Sequence, residues 1–268
     1  MVYLEKVPSP ALRSWVQSLW YCHAPKMPRG RERVLPNGCM QIILNLSRDY
    51  LTDCGEDGSA HEKHSRGIVV GVRDSYQVVD TADMEETAGV VIRPGGFTGL
   101  FRERSDLLFQ RVIALEDIWY EPLLFEYLGE ALTPLQKLTC LDKLLTGLVG
   151  KKSRRSEITD HALYLLRVKH LSIAECARSI GVSERRLSQL FREEVGVSPK
   201  LWARIQRFQA VTRALHAGVE IPWVQLALDC GYYDQSHFAN DFRAFSGLDA
   251  SAYSKHVNRW QNHVTLDY

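Results

Sequence analysis

Residues 173–202, IAECARSIGVSERRLSQLFREEVGVSPKLW, and residues 222–253, PWVQLALDCGYYDQSHFANDFRAFSGLDASAY, carry one pattern twice. Ala177, Gly181, Phe191, Gly196 and Trp202 of the first stretch stand where Ala227, Gly231, Phe242, Gly247 and Tyr253 stand in the second, with one residue inserted just past the glycine. Each copy reads as a short helix (173–180; 222–230), a turn opened by glycine, and a second helix (183–195; 234–245). This is the outline of a helix-turn-helix, whose second helix fits a DNA major groove.

In the first copy Leu187, Leu190, Phe191 and Glu194 share one face, so the apolar side chains pack on Ala177 and Ile180. The opposite face carries Arg185, Arg186, Ser188, Gln189 and Arg192. In the second copy Phe238, Phe242 and Phe245 point inward, leaving Gln235, Ser236, Ala239, Asn240 and Arg243 outward. Arg pairs with the guanine edge, Gln and Asn with the adenine edge, and Ser with either, while Arg192 and Arg243, one turn on, suit phosphate. A helical domain whose periodicity reports only its core would not need Arg and an amide on both polar faces.

Local signals agree with this outline. Ser172 with Glu175 makes a capping box, Ser183 and Asp234 are N-cap residues, and Gly181 and Gly231 supply positive φ in the turns. Between the copies, Ser198-Pro199 starts a helix that runs to His216 and keeps Leu201, Ile205, Phe208, Val211, Thr212 and Leu215 on a stripe. Its length of about 27 Å suits two reading heads on adjacent major-groove turns, which recur every ~34 Å.

Residues 156–256 resemble the DNA-binding domain of AraC/XylS-type bacterial transcription regulators. The resemblance rests on Ala177, Gly181-Val182-Ser183, Leu187, Phe191, Gly196-Val197-Ser198-Pro199, Ala227, Gly231-Tyr232, Ser236-His237-Phe238, Phe242, Phe245, Gly247 and Tyr253. It implies a monomeric, two-headed binder of non-palindromic DNA. Arg185, Ser188 and Gln189 then touch bases in the first unit and Gln235, Ser236 and Asn240 in the second, with Arg192, Arg204 and Arg243 on phosphates. The family closes its second unit with Gly-x-Thr-Pro-x-x-Tyr. Here residues 247–253 read GLDASAY, so the proline is missing and Asp249 is left to cap the last helix.

The chain has 268 residues and a net charge of +1, but residues 1–150 hold 16 Lys and Arg against 20 Asp and Glu, while residues 151–268 hold 17 against 12. The basic half is the half with the repeat, which favours duplex DNA as its partner. We expect an α+β chain of two domains. Residues 1–150 form a β-rich sensing or dimerisation domain, and residues 151–268 an all-α domain of two helix-turn-helix units, 172–195 and 222–245, joined by a long helix. The basic run Gly150 to Arg155 is the expected linker. With no apolar leader and no run of eighteen apolar residues, a cytoplasmic protein is expected, and its six cysteines, lacking framework spacing, are expected reduced.

In the first half, residues 40–46, 67–72, 76–81 and 87–93 read as strands of a small antiparallel barrel or sandwich, with a polar loop from Thr52 to Arg66. Residues 98–103, 121–132 and 134–149 read as helices. The half is also similar, through residues 35–38, 41–46, 70–72, 91–97 and 115–118, to a domain that accompanies AraC-like reading heads. By that analogy it senses an effector or dimerises, with the helix pair 121–149 as the dimer interface unless those faces pack within the monomer. Trp15, Trp20, Tyr21, Phe97 and Trp119 could line an effector pocket with Gln41 and Arg93 as polar anchors, or simply fill the β core.

We expect no metal and no cofactor: no Cys-x-x-Cys occurs, and His61-Glu62-Lys63-His64 is one residue short of the zinc-protease helix motif. No nucleophile elbow or dinucleotide fingerprint is present, so the expected class is a sequence-specific regulator, with RNA polymerase as protein partner, rather than an enzyme. The alternative is a DNA-alkylation sensor or repair protein that transfers an alkyl group to Cys22 or Cys39.

Overall fold

The structure is a computed structural model that describes residues 1–24, 30–54, 61–82, 84–150, 155–218, 222–256 and 261–266. Its class is α+β, with antiparallel β-sheets in the N-terminal half and helices in the C-terminal half. Alternation over two segments builds the middle of the larger sheet. In β4 (Met40–Asn45) and β9 (Glu86–Ile92), Met40, Ile42 and Leu44 stand opposite Ile92, Val90 and Ala88, all buried. Around them lie β1 (Val2–Lys6), β2 (Val16–His23), β7 (Gly67–Val70) and β10 (Val112–Ala114), in the order β1-β2-β9-β4-β7-β10. A second sheet has the order β11-β3-β8-β5-β6, from β3 (Arg31–Val34), β5 (Tyr50–Cys54), β6 (His61–Ser65), β8 (Gln77–Asp80) and β11 (His263–Leu266). Every pairing is antiparallel.

The outer face of the six-stranded sheet is covered by α1 (Gly96–Phe101), α2 (Leu124–Glu130) and α3 (Pro134–Leu148). Leu138, Leu141 and Leu145 of α3 are fully buried, and a Thr133–Gln136 capping box opens that helix. The helical half comprises α4 (Glu157–Val168), α5 (Ile173–Ile180), α6 (Glu184–Val195), α7 (Pro199–His216), α8 (Trp223–Asp229), α9 (Gln235–Ser246) and α10 (Ala250–Lys255).

The structure corrects the sequence reading in three places. The polar run expected as a loop from Thr52 to Arg66 contains paired strands, with Tyr50 opposite Ser65 and Thr52 opposite Lys63; residues 55–60 lie outside the described residues. The pair sits at the edge of its sheet, so its outward residues stay polar and the alternation is faint. The halves are also not cleanly divided: Lys151–Arg154 lie outside the described residues, but Arg155 donates to the Pro94 carbonyl at 2.8 Å and pairs with Asp160. Finally, β11, at the end of the helical half, pairs with β3 and extends an N-terminal sheet.

One segment of the first half runs beneath the helical half. After α1 the chain makes a 3-10 turn, Ser105–Leu108, which packs on α6. It is pinned to the end of β7 where the Gly71 amide donates to the Arg111 carbonyl at 2.9 Å and the Gln110 amide donates to the Val72 carbonyl at 3.0 Å. A Cβ on Gly71 would lie 1.6 Å from the Leu108 carbonyl oxygen, so no side chain fits there. Gly71→Ala is therefore expected to cost about 1–3 kcal/mol of stability in urea unfolding. Gly147→Ala in α3, where nothing lies within 4 Å, should be neutral or stabilising by up to ~1 kcal/mol.

Candidate nucleic-acid interface

The repeated residues do the same physical job in both units. In the first, the Val182 amide donates to the Ala177 carbonyl and the Gly181 amide to the Arg178 carbonyl. In the second, Tyr232 donates to Ala227 and Gly231 to Leu228. This paired closure of a helix end requires a left-handed residue at its pivot, and Gly181 and Gly231 have φ of 81° and 84°. Ala177 and Ala227 are buried at 2% and 0% exposure, since the following helix crosses close over them. The second helices then start on side-chain caps: Ser183 accepts from the Arg186 amide at 3.2 Å and Asp234 from the His237 amide at 2.7 Å.

The inner faces also repeat. Phe191 meets Trp202 edge-to-face with centroids 5.9 Å apart, and Phe242 meets Tyr253 in the same way at 5.4 Å. Leu187, Leu190, Phe191 and Val195 of α6 are buried, as are Phe238, Phe242 and Phe245 of α9. The inserted residue after the second glycine is Tyr233, which is 87% exposed and so lies outside this packing.

With the inner faces fixed, the outer faces follow. Arg185, Arg186, Gln189 and Arg192 are exposed on α6 with Ser188 half-buried between them; Gln235, Ser236, Asn240 and Arg243 are exposed on α9. On α6 the polar groups form a row: Arg186 donates to the Gln189 side-chain oxygen at 3.4 Å, and Gln189 donates to Glu193 at 3.1 Å. Arg243 donates to Asp249 through Nε at 3.1 Å. Asp249 stands at the N-cap of α10, yet its carboxylate faces Arg243 instead of capping, which corrects the capping role expected of it.

Arg204 is placed differently from the other cations. Its Nη2 and Nε donate to Asp241 at 2.7 and 3.0 Å, and its guanidinium lies 5.3 Å from the Phe245 ring centroid. Asp241 is 3% exposed, so this pair bolts α7 to α9. An acidic residue on the apolar stripe, three positions after Phe238, was the sequence signal for it. The Asp241 carboxylate holds the Arg204 proton more tightly than an ordinary guanidinium would. Arg204→Ala should cost roughly 2–3 kcal/mol in thermal unfolding, below the ~3–5 of a fully buried pair because Arg204 keeps a third of its surface in water. A binding defect with unchanged stability would contradict this.

The residues considered for an effector pocket do not converge. Trp15 is buried against Gly99 of α1, and Phe97 is buried beside Phe101, its ring 5.1 Å away; both lie on the helix side of the sheet. Phe101 in turn meets Trp119 at 6.4 Å, and Tyr21 is buried with its hydroxyl on Glu86 at 2.9 Å. Arg93 donates to the Arg13 carbonyl at 2.8 Å. Trp20 lies over Gly89 and, by register, shares the other face of the sheet with Ile43 and Gln41. Gln41 lines a cavity. That cavity, of about 30 Å³, is walled by Val34 to Asn37, Cys39, Val70, Gly71, Arg73 and Gln77; a second, of about 40 Å³, shares Val70 and Gln77 with it.

The thiols considered for alkyl transfer are both shifted upward from the ordinary cysteine range. Burial pushes Cys39 up to about 12, and burial together with the Glu32 carboxylate raises Cys22. A protonated thiol is a poor nucleophile. No helix among the described residues is long and apolar enough to cross a membrane.

Two helix-turn-helix units strung on one helix behind an antiparallel β domain define a class, and known proteins resemble the chain in the same parts. A helix-turn-helix domain family matches residues 176–256, and a domain of unknown function (DUF6597) matches residues 4–114. The arabinose operon regulatory protein of Salmonella typhimurium is 30% identical over 96 residues, 36% of this chain and 32% of that protein. Its Escherichia coli counterpart is 29% identical over 109 residues, 41% and 36% of the two chains. The chain thus spans about a third of the length of these relatives. Among solved structures, the C-terminal domain of AraT from Geobacillus stearothermophilus is 24% identical with a TM-score of 0.37, covering 40% of this chain and 93% of that one. ToxT from Vibrio cholerae is 10% identical with a TM-score of 0.48, covering 95% and 98%. Over residues 176–256 the chain is thus similar to a helix-turn-helix domain family, and over about a hundred residues to the arabinose operon regulatory proteins.

Proposed function

We propose that the protein is a transcription regulator that binds duplex DNA through two unlike reading heads. The observation that carries this is the contrast within each second helix, where the inner face is spent on packing and the outer face keeps Arg and an amide in solvent. In this reading Arg185, Arg186, Ser188 and Gln189 address bases from the first unit, and Gln235, Ser236 and Asn240 from the second. Arg192 and Arg243 hold phosphates, and Arg204 positions the second unit rather than touching DNA. RNA polymerase is the protein partner.

The test is a selection of bound duplexes from a random library by the full-length protein at two salt concentrations. The expected result is a motif of two unlike half-sites about one helical turn apart; no enrichment at either salt would contradict it. On the selected duplex, Arg185→Ala should cost ~1–3 kcal/mol and relax preference at one position, whereas Arg243→Ala should weaken all sequences alike and flatten the salt dependence. Equal losses on selected and random DNA for Arg185→Ala would refute its role.

The N-terminal half is proposed to carry the control. Arg73, Gln41, Gln77 and Asn37 surround the smaller cavity, a polar set suited to a small anion. Cavities of this size hold a water molecule, so a metabolite enters only when the walls part. Those walls include Pro36 and Asn37, whose carbonyls hold Gln209 and Gln206 of α7. A panel of small carboxylates should include one that raises the melting temperature of the full-length protein, and loses that effect in Arg73→Ala. The outer side of the α2–α3 pair exposes Leu123, Tyr127, Leu132 and Leu135, and is proposed to bind a second copy. Light scattering on Leu132→Glu, expected to be monomeric, tests it.

A further inference from the structure

The N-terminal half grips both second helices at the same point, the glycine that ends each one. At the end of α6, Gly196 has φ of 96°, and a Cβ there would come within 3.0 Å of the Met40 side chain and 3.1 Å of the Ser105 carbonyl oxygen. At the end of α9, Gly247 has φ of 68°, and a Cβ would come within 2.5 Å of the Tyr76 ring. Met40, Ser105 and Tyr76 all belong to the first half, and each glycine is needed twice, for its backbone conformation and for the neighbour above it.

On α6 the grip is also chemical. The last carbonyls of a helix have no partner within it. Here the Gly196 amide takes Arg192 at 2.9 Å, the Thr98 hydroxyl donates to Glu193 at 3.2 Å, and the Ser105 hydroxyl donates to Glu194 at 2.7 Å. Ser105 is fully buried, so water does not replace this bond. The turn that delivers the Ser105 hydroxyl is bracketed by two left-handed non-glycine residues, Arg102 and Gln110, whose conformations are held by the surrounding structure rather than by local preference. On α9 the last turn is closed from within, the Ser246 hydroxyl donating to Phe242 at 2.7 Å, and contact with the first half falls to Tyr76, over which Arg33 stacks at 4.7 Å.

We infer that the N-terminal half sets the distance and rotation between the two reading helices, with Ser105 and Tyr76 as the positioning residues that restrict the protein to one spacing of half-sites. This rests on the two-headed reading above. α7 joins the units at one side only, through Trp202 to the first and Phe208 to the second. A second support away from α7 is what turns a joint into a fixed angle. One base pair of extra spacing rotates a half-site by about 35° and moves it by ~3.4 Å, more than a bidentate contact tolerates.

The experiment uses the full-length protein and a series of duplexes in which the selected half-sites are moved apart or together one base pair at a time. The unaltered protein should lose about tenfold or more per base pair of shift. In Tyr76→Ala and Ser105→Ala the loss should fall to roughly 2- to 3-fold, with base preference within each half-site kept and Tyr76→Phe behaving as the original. A variant that is merely less stable would weaken every duplex and leave the spacing penalty intact, and that result overturns the inference, as does a spacing-tolerant original protein. Absence of any second half-site in the selected motif would instead sink the two-headed reading itself. Amide exchange without DNA gives a separate check: Ser105→Ala should speed exchange in the last turn of α6, residues 194–197, and no change there would also overturn it.

Discussion

The burial of a broad face of α7, wider than a single apolar stripe, is the constraint on which the rest of the structure depends. A surface helix needs one apolar stripe, but here Trp202, Ile205, Phe208, Gln209, Val211 and Thr212 are all at or below 4% exposure. Trp202 packs on Phe191 of the first unit; Phe208 packs on Phe242 and Phe245 of the second, with ring centroids 5.1 and 5.3 Å away. Gln206 and Gln209 reach the loop before β4, and α4 packs on the helix as well. A helix clamped in this way cannot move relative to one neighbour without disturbing the others, because packed interiors have alternative arrangements rather than continuous play.

The Gln209 amide inside this clamp is matched, which explains why burying it is tolerated. Gln209 donates to the Pro36 carbonyl at 2.9 Å and to the Asn262 side chain at 2.8 Å, and its oxygen accepts from Gln261 at 3.4 Å. One amide therefore joins the long helix, the loop before β4 and the approach to β11. Left unsatisfied, each of these buried groups would cost ~1–3 kcal/mol. Arg204 with Asp241 does the equivalent work between α7 and α9. Both Gln209 and Arg204 are engaged in packing the helices together, and the solvent faces of α6 and α9 carry the side chains without such a role.

How much of this was legible in the sequence depended on the range of the forces involved. The two repeats and the helix between them were readable almost to the residue, since glycine pivots, N-caps and apolar spacing are local: Pro199–His216 is the helix that Ser198-Pro199 and the apolar stripe foretold, whereas α4 was not read at all. Asp249 misled because a cap and an ion pair use the same carboxylate, and only the position of Arg243 decides between them. The β half was half-readable. β4, β7, β8 and β9 showed as apolar runs, but β1, β2 and β3 lacked clean alternation, and β5 and β6 are too polar to stand out. β11 had no signal at all, because four residues, HVTL, become a strand only by meeting β3 from more than two hundred positions away. The aromatics were hard to place for a related reason: sequence shows that Trp15, Trp20 and Phe97 are bulky, not which face of the sheet each one takes.

The central claim is that one chain presents two unlike heads to adjacent major-groove segments. Hydroxyl-radical footprinting of the full-length protein on a selected duplex, with stoichiometry measured in the same samples, tests it most directly. The account predicts two protected patches per bound chain, about one helical turn apart on one face of the DNA, with the patch at one half-site lost in Arg185→Ala. A single patch per chain, or a symmetric footprint that needs two chains, would contradict it.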